Sequence, residues 1–107
     1  MATVKVPENV SFGFGTPDAD IDFVPELDHL NFRELERGSC LGRVRQGSSA
    51  KLLVLDENGE DISDSMFDYR QGEITLQQPL MPAMLTCDER VIRQDCLCYL
   101  MERIKMP

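Results

Sequence analysis

The sequence predicts a small α+β protein: a mostly antiparallel β-sheet, an extended N-terminal arm and a C-terminal α-helix. Three observations predict it. Apolar residues recur with period two near the N-terminus, which is typical of strands. A helix-start signal begins at Thr86. The 107 residues are 42% hydrophobic and 28% charged, enough for one folded core. We therefore expect an arm or edge strands over residues 1–24 and one small domain over residues 25–107.

The first 24 residues contain short alternating apolar patterns that proline and glycine interrupt. Such segments favour short strands, which need another surface to bury their apolar side. One interpretation is that they are edge strands of the chain's own sheet. The other is an arm that lies on a partner, in which case Phe12, Phe14 and Phe23 are its anchors.

The middle of the chain predicts a short helix, three strands and a turn. Pro25 suits the first position of a helix and Gly38 suits the residue after its end, which predicts a helix over Pro25–Arg37. Residues 78–82 are predicted as an irregular link, because Pro79 and Pro82 have no N–H to donate to a ladder. The remaining predictions are strands at Leu41–Arg45, Ala50–Leu55 and Glu73–Gln77, with a turn at Asp56–Gly59.

The C-terminal segment carries the clearest helix signal. Thr86 and Glu89 have the spacing of a capping box, in which each side chain bonds the backbone N–H of the other residue. Arg103 and Lys105 lie where the negative end of the helix dipole favours cations. These signals predict a helix over residues 88–105.

This predicted helix carries apolar side chains on two faces. A surface helix normally buries a single stripe, and a small domain has little surface with which to cover a second one. Either residues 79–85 cover the second face or a partner subunit does. The first face consists of the candidate partner-binding residues Leu97, Leu100, Met101 and Ile104. The second face consists of Ile92, Cys96 and Tyr99.

Acidic residues outnumber basic ones nineteen to eleven, for a formal net charge of -8. The chain lacks the basic footprint of a general phosphate-backbone binder, so we expect no direct nucleic-acid contact. The charges occur in blocks: eight acids and one base in residues 8–36, four bases and no acid in 37–55, and six acids and no base in 56–68. Such blocks either favour oriented association with a complementary surface or pair with one another inside the monomer.

Motifs that carry chemistry are mostly missing from the sequence. Asp18, Asp20 and Asp22 resemble the start of a calcium loop, but Phe23 and His29 stand where that loop needs glycine and glutamate. No phosphate loop, dinucleotide fingerprint or nucleophile elbow is present. The four cysteines contain no Cys-x-x-Cys pair and are predicted to be free, buried thiols, with a disulfide or a metal site as the alternatives. We expect no enzyme activity, no cofactor and no metal.

The leading hypothesis is a non-catalytic protein–protein interaction subunit, a small accessory or structural component of a larger assembly such as a viral particle or a bacterial complex. Its partners would be other proteins or copies of itself. The alternative is a small acidic inhibitor that occupies the basic groove of a nucleic-acid-binding protein; a metal-dependent enzyme or a calcium module is a third hypothesis. No apolar run could span a bilayer and the N-terminus lacks the pattern of a signal peptide. We therefore expect no membrane contact and a protein that is cytoplasmic, or incorporated in an assembly or virion.

Overall fold

The computed structural model describes the backbone of residues 1–102 and the side chains of residues 1–101. Within this part of the chain, strands greatly outnumber helices, and Leu27–Leu30 and Arg70–Gly72 form short 3-10 turns. The strands are β1 Ala2–Lys5, β2 Phe12–Phe14, β3 Ile21–Phe23, β4 Cys40–Val44, β5 Leu53–Leu55, β6 Phe67–Asp68, β7 Glu73–Leu76, β8 Leu80–Ala83 and β9 Cys98–Glu102. The helices are α1 Ser63–Met66 and α2 Glu89–Gln94.

The strands form two sheets. One sheet has four strands in the order β5-β1-β9-β8, all antiparallel. The other has five strands in the order β2-β3-β4-β7-β6, antiparallel except for the parallel pair β2 and β3. The predicted class, a small α+β domain with mostly antiparallel strands, is confirmed at this level. The chain builds two sheets where we expected one.

Both sheets contribute side chains to one apolar core, and the described residues bury no charged or polar residue. The first 24 residues take part in it through Val4, Ile21 and Phe23. Strand β1 lies in the middle of the four-stranded sheet, while β2 and β3 lie at one edge of the five-stranded sheet. The alternating patterns near the N-terminus are thus strands of the chain's own domain in this structure.

The predicted helix over residues 88–105 is wrong as a continuous element. Helix α2 ends at Gln94, and the chain then forms β9 between β1 and β8. The helix starts with Asp88, whose carboxylate accepts a hydrogen bond from the Arg90 N–H at 3.0 Å, rather than with Thr86. The apolar run from Cys96 to Met101 belongs to a buried strand, a pattern that periodicity alone does not separate from a buried helix. The end of the prediction, residues 103–105, lies outside the described residues.

Two other predictions need correction. The helix expected over Pro25–Arg37 is a single 3-10 turn at Leu27–Leu30, after which Leu35 forms a bridge with Leu80. Residues 78–82 were expected to form an irregular link, but strand β8 begins at Leu80 and contains Pro82. Proline is tolerated there because β8 is an edge strand whose outer side carries an isolated bridge, at Leu80, rather than a second ladder.

The remaining predictions were local, and the structure confirms most of them. Strands β4 and β7 lie within one residue of their predicted bounds. The turn at residues 56–59 is present, with Gly59 at a φ of 80° that glycine adopts without strain. The strand predicted over Ala50–Leu55 is shorter, and it is an edge strand whose Leu53 and Leu55 are only partly buried. No helix within residues 1–102 has the length and apolar character to cross a bilayer.

Candidate interaction surfaces

The side of the four-stranded sheet that faces away from the core carries apolar or aromatic side chains on three strands, β5, β9 and β8, and Thr3 and Lys5 on β1. One row runs straight across it, because Leu55 lies opposite Thr3, Thr3 opposite Tyr99, and Tyr99 opposite Ala83. In the neighbouring row Met101 lies opposite Met81. We call this surface the outer face; it comprises Thr3, Lys5, Leu53, Leu55, Met81, Ala83, Tyr99 and Met101.

Most of the outer face is accessible. Met101 is 36% exposed, and Leu53, Leu55, Met81 and Tyr99 are all partly exposed. An antiparallel sheet with one solvated face usually carries polar residues there, but Lys5 is the only charged side chain of the outer face. Leucine, methionine and tyrosine in this position match the centre of a protein interface better than a solvated surface.

The structure separates the predicted partner-binding residues. Leu97 and Leu100 are 0% and 1% exposed and lie in the chain's own core, whereas Met101 lies on the outer face. Leu100 and Met101 were expected on one helix face, but neighbouring residues of a strand point to opposite sides. Ile104 lies outside the described residues. Sequence reasoning missed Leu53, Leu55 and Met81, because only the register of β5, β1, β9 and β8 brings them beside Tyr99.

The three phenylalanines predicted as arm anchors form one aromatic cluster. The Phe14 and Phe23 rings stack at 5.3 Å, and the Phe12 ring meets both edge-on. Phe23 is buried in the core, while Phe12 and Phe14 are partly exposed. The Arg93 guanidinium lies 4.6 Å from the centre of the Phe12 ring and donates hydrogen bonds to the carbonyls of Pro7 and Val10. This arginine therefore attaches helix α2 to β2 and to the loop that precedes it.

A cleft of about 870 Å³ lies between the loop of residues 45–51 and the turn of residues 69–72. Three of the four cations in the basic block of the sequence line it: Arg43, Arg45 and Lys51. The only acid among the lining residues is Asp22, whose carboxylate accepts a hydrogen bond from the Thr16 N–H at 2.7 Å. We call this the basic cleft.

The three cations of the basic cleft differ in how firmly they are paired. Arg45 is held by Asp20 at 3.0 Å and also donates to the carbonyl of Asp18. Arg43 is 3.6 Å from Glu73, and both side chains are well exposed. The Lys51 ammonium lies 5.6 Å from the centre of the Tyr69 ring, and no carboxylate of residues 1–101 lies within ion-pair distance of it. Arg43 and Lys51 are therefore the cations that can take a new partner.

Two carboxylates of the calcium-loop pattern, those of Asp20 and Asp22, accept hydrogen bonds from protein donors. Hydrogen bonds from the Ser11 backbone and the Ser48 hydroxyl, with the nearby Arg45, hold the pKa of Asp20 below its ordinary value. Within the described residues, no group of three or more histidine, cysteine, aspartate or glutamate side chains could hold a metal ion. The segment is therefore a structural junction between residues 11–22 and the loop of residues 45–51.

The four cysteines are free thiols, as predicted, but only Cys96 and Cys98 are buried. Burial raises the pKa of Cys98 to about 12, which keeps it protonated and unreactive near neutral pH. Cys40 is exposed and Cys87 is partly buried, so the prediction of buried thiols holds for two of the four residues.

The second charged feature is a compact turn that follows β5. The Asp56 carboxylate accepts hydrogen bonds from the N–H groups of Asn58 and Glu60, at 2.8 and 2.9 Å. Glu57 pairs with the N-terminal ammonium at 2.7 Å, and Glu60 and Asp61 are exposed. We call residues 56–61 the acidic turn. Lys51 precedes β5 and Asp56 follows it, so the acidic turn and the Lys51 side of the basic cleft lie at opposite ends of that strand.

The chain matches no protein-family model, no curated protein and no solved structure with which it was compared. The outer face, the basic cleft and the acidic turn are therefore the features that bear on its function.

Proposed function

We propose that this protein is a non-catalytic interaction subunit, a small component of a larger assembly such as a viral particle or a bacterial complex. It would act in the cytoplasm or within the assembly or virion itself. Its main contact would be the outer face, docked on an apolar surface of a different protein. The observation that carries the proposal is the cluster of partly exposed apolar and aromatic side chains on strands β5, β9 and β8, namely Leu53, Leu55, Tyr99, Met101 and Met81, which the strand registers bring together around Thr3 of β1.

The side chains of the outer face suit a protein partner. Burying the exposed part of Leu53, Leu55 or Met101 contributes on the order of 1 kcal/mol each, since full burial of such a side chain contributes about 1.5–3 kcal/mol. Methionine adapts its shape to irregular surfaces, and tyrosine is enriched at interfaces. Lys5 is the single charge, so the partner surface would be apolar with one acidic or carbonyl group opposite this lysine. Phe12 and Phe14 remain accessible for a further contact.

The test is site-specific photo-crosslinking in the cells that make the protein. A benzophenone amino acid replaces Met101 on the outer face in one variant and Val91 on helix α2 in a matched control, since both residues are exposed. We expect one discrete crosslinked protein from position 101, lost on adding Leu55→Lys, and none from position 91. Circular dichroism checks that each variant is folded. Equal crosslinking at both positions would contradict the proposal, and crosslinks only between copies of the chain would replace the partner with a second copy.

The acidic-inhibitor alternative has less support from the described contacts. A phosphate mimic needs carboxylates that point into solvent, whereas Asp20 and Asp22 accept hydrogen bonds from the chain's own N–H and O–H groups. Arg43 and Arg45 also lie beside these acids, which lowers the negative potential that a basic groove would bind.

A further inference from the structure

We infer that copies of this chain associate head to tail, with the acidic turn of one copy in the basic cleft of the next. The inference extends the proposed function by naming a second copy as one partner, and it rests on that function only in assigning the protein to an assembly. The contact uses the basic cleft and the acidic turn, so it leaves the outer face available for a different protein.

The basic cleft offers two cations to an incoming carboxylate. Lys51 is exposed and its ammonium lies over the Tyr69 ring, while Arg43 is 3.6 Å from Glu73 in a solvated pair. Solvated pairs of this kind contribute little and exchange partners readily. Arg45 is already fixed by Asp20, so it shapes the cleft and leaves the new contact to Arg43 and Lys51.

The acidic turn has a complementary charge and a preformed shape. Five consecutive residues, 57–61, are exposed, so the turn protrudes. Within residues 1–101, no basic side chain lies within ion-pair distance of Glu60 or Asp61. The hydrogen bonds to Asp56 fix the backbone before binding, which reduces the ordering cost of the contact.

Strand β5 prevents the two features of one molecule from meeting. Lys51 and Asp56 are five residues apart across an extended strand, or about 17 Å. Strand β5 is also paired with β1, so the turn cannot fold back onto the cleft. The acidic turn can therefore bind only the basic cleft of another molecule. Because the two surfaces differ, each bound pair still has one free turn and one free cleft, and the contact produces rings or open chains rather than a closed dimer.

The net charge of -8 determines how the association between copies depends on salt concentration. At low ionic strength the copies repel each other as whole molecules. At physiological ionic strength the screening length is about 8 Å, which removes much of this repulsion but leaves pairs in direct contact. High salt then weakens the contact pairs too, so association is strongest at moderate salt.

The experiment is light scattering on a sizing column, with the wild type and two charge-reversal variants of the full chain. The wild type should form species larger than 12.2 kDa at moderate salt. Arg43→Glu/Lys51→Glu reverses the cleft, and Glu57→Lys/Glu60→Lys reverses the turn. Each variant alone should associate at least tenfold more weakly. An equimolar mixture of the two variants should associate again. The reversed cleft of one variant is acidic and binds the reversed, basic turn of the other, and the unchanged turn and cleft also carry opposite charges.

A matched control separates the contact from total charge. Arg33→Glu/Arg90→Glu changes the net charge as much as the cleft variant does, but neither residue lines the cleft; it should associate like the wild type. A wild type that stays monomeric up to about 1 mM, or a mixture that fails to assemble, overturns the inference. Crosslinks from position 101 to another protein, together with a monomeric wild type, would support the proposed function and reject this contact. Association lost only on Met101→Lys would assign the self-contact to the outer face.

Discussion

Single residues decide how closely neighbouring strands approach, and Gly42 is the clearest case. It lies opposite Phe23 in the pairing of β3 with β4. A Cβ atom on Gly42 would lie 2.6 Å from the Asp22 carbonyl oxygen and 2.8 Å from the Phe23 Cα. Both atoms are backbone, so the contact cannot be relieved by a change of rotamer. The absence of a side chain is therefore required for this strand pair.

We expect Gly42→Ala to lower the free energy of unfolding by about 3 kcal/mol, because it forces β3 away from β4. The control is Gly59→Ala, where φ is positive but no atom lies within 4 Å of the added Cβ. Only the conformational strain of about 1 kcal/mol remains there. Denaturant unfolding measures both variants. Equal losses would show that the close approach at Gly42 is not a constraint.

At the scale of the element, β9 places neighbouring side chains in different environments. Leu100 is 1% exposed and packs in the core, and Met101 is 36% exposed on the outer face. In a helix the two residues would have shared one face. Truncation of each side chain therefore distinguishes the strand from the helix.

We expect Leu100→Ala to cost about 2–5 kcal/mol of unfolding free energy, the range for deleting a buried leucine. Met101→Ala should cost less than about 1 kcal/mol, because its side chain is partly in solvent. Chemical denaturation of the two variants under one set of conditions provides the comparison. Similar losses of unfolding free energy in the two variants would contradict a strand at Cys98–Glu102 and favour the helix predicted from the sequence.

Contacts between distant parts of the chain hold the whole molecule together. The N-terminal β1 lies between β5 and β9, so the four-stranded sheet requires both ends of the described chain. Asp20 has a similar role between loops. Its carboxylate accepts hydrogen bonds from Ser11 and Ser48 and pairs with Arg45.

This junction predicts a dependence of stability on pH. The pKa of Asp20 is lowered from its ordinary value of 3.8, first by the hydrogen bond from the Ser11 backbone. The unfolded chain therefore binds this proton more readily than the folded one. The stabilisation is fully present above about pH 4 and is lost as the pH falls through the lower folded pKa.

Asp20→Asn should unfold at a lower temperature than the wild type at pH 7, because the amide lacks the charge that Arg45 and the two serines stabilise. The difference in unfolding temperature between the wild type and the variant should narrow as the pH falls below 4. Thermal unfolding from pH 7 to pH 2.5 measures both proteins. A gap that stays constant over this range would show that ionised Asp20 does not stabilise the fold.

The sequence by itself determined the features that short segments specify. The period-two patterns near the N-terminus and at residues 73–77 predicted strands, and Asn58 with Gly59 predicted the turn, because such signals depend on neighbouring residues alone. The charge blocks were also visible, and three cations of one block do line one cleft.

The tertiary structure alone decided which apolar residues lie inside and which remain on the surface. The run from Cys96 to Met101 is equally apolar in a helix or a strand, and only pairing with β1 and β8 makes it a strand. Pro82 forms part of a strand because β8 is at an edge, which is a property of the sheet order. Tyr99, Leu55 and Met81 meet on the outer face through the registers of strands that are far apart in sequence. Register is set by the burial of the opposite face of the sheet, which no local pattern contains.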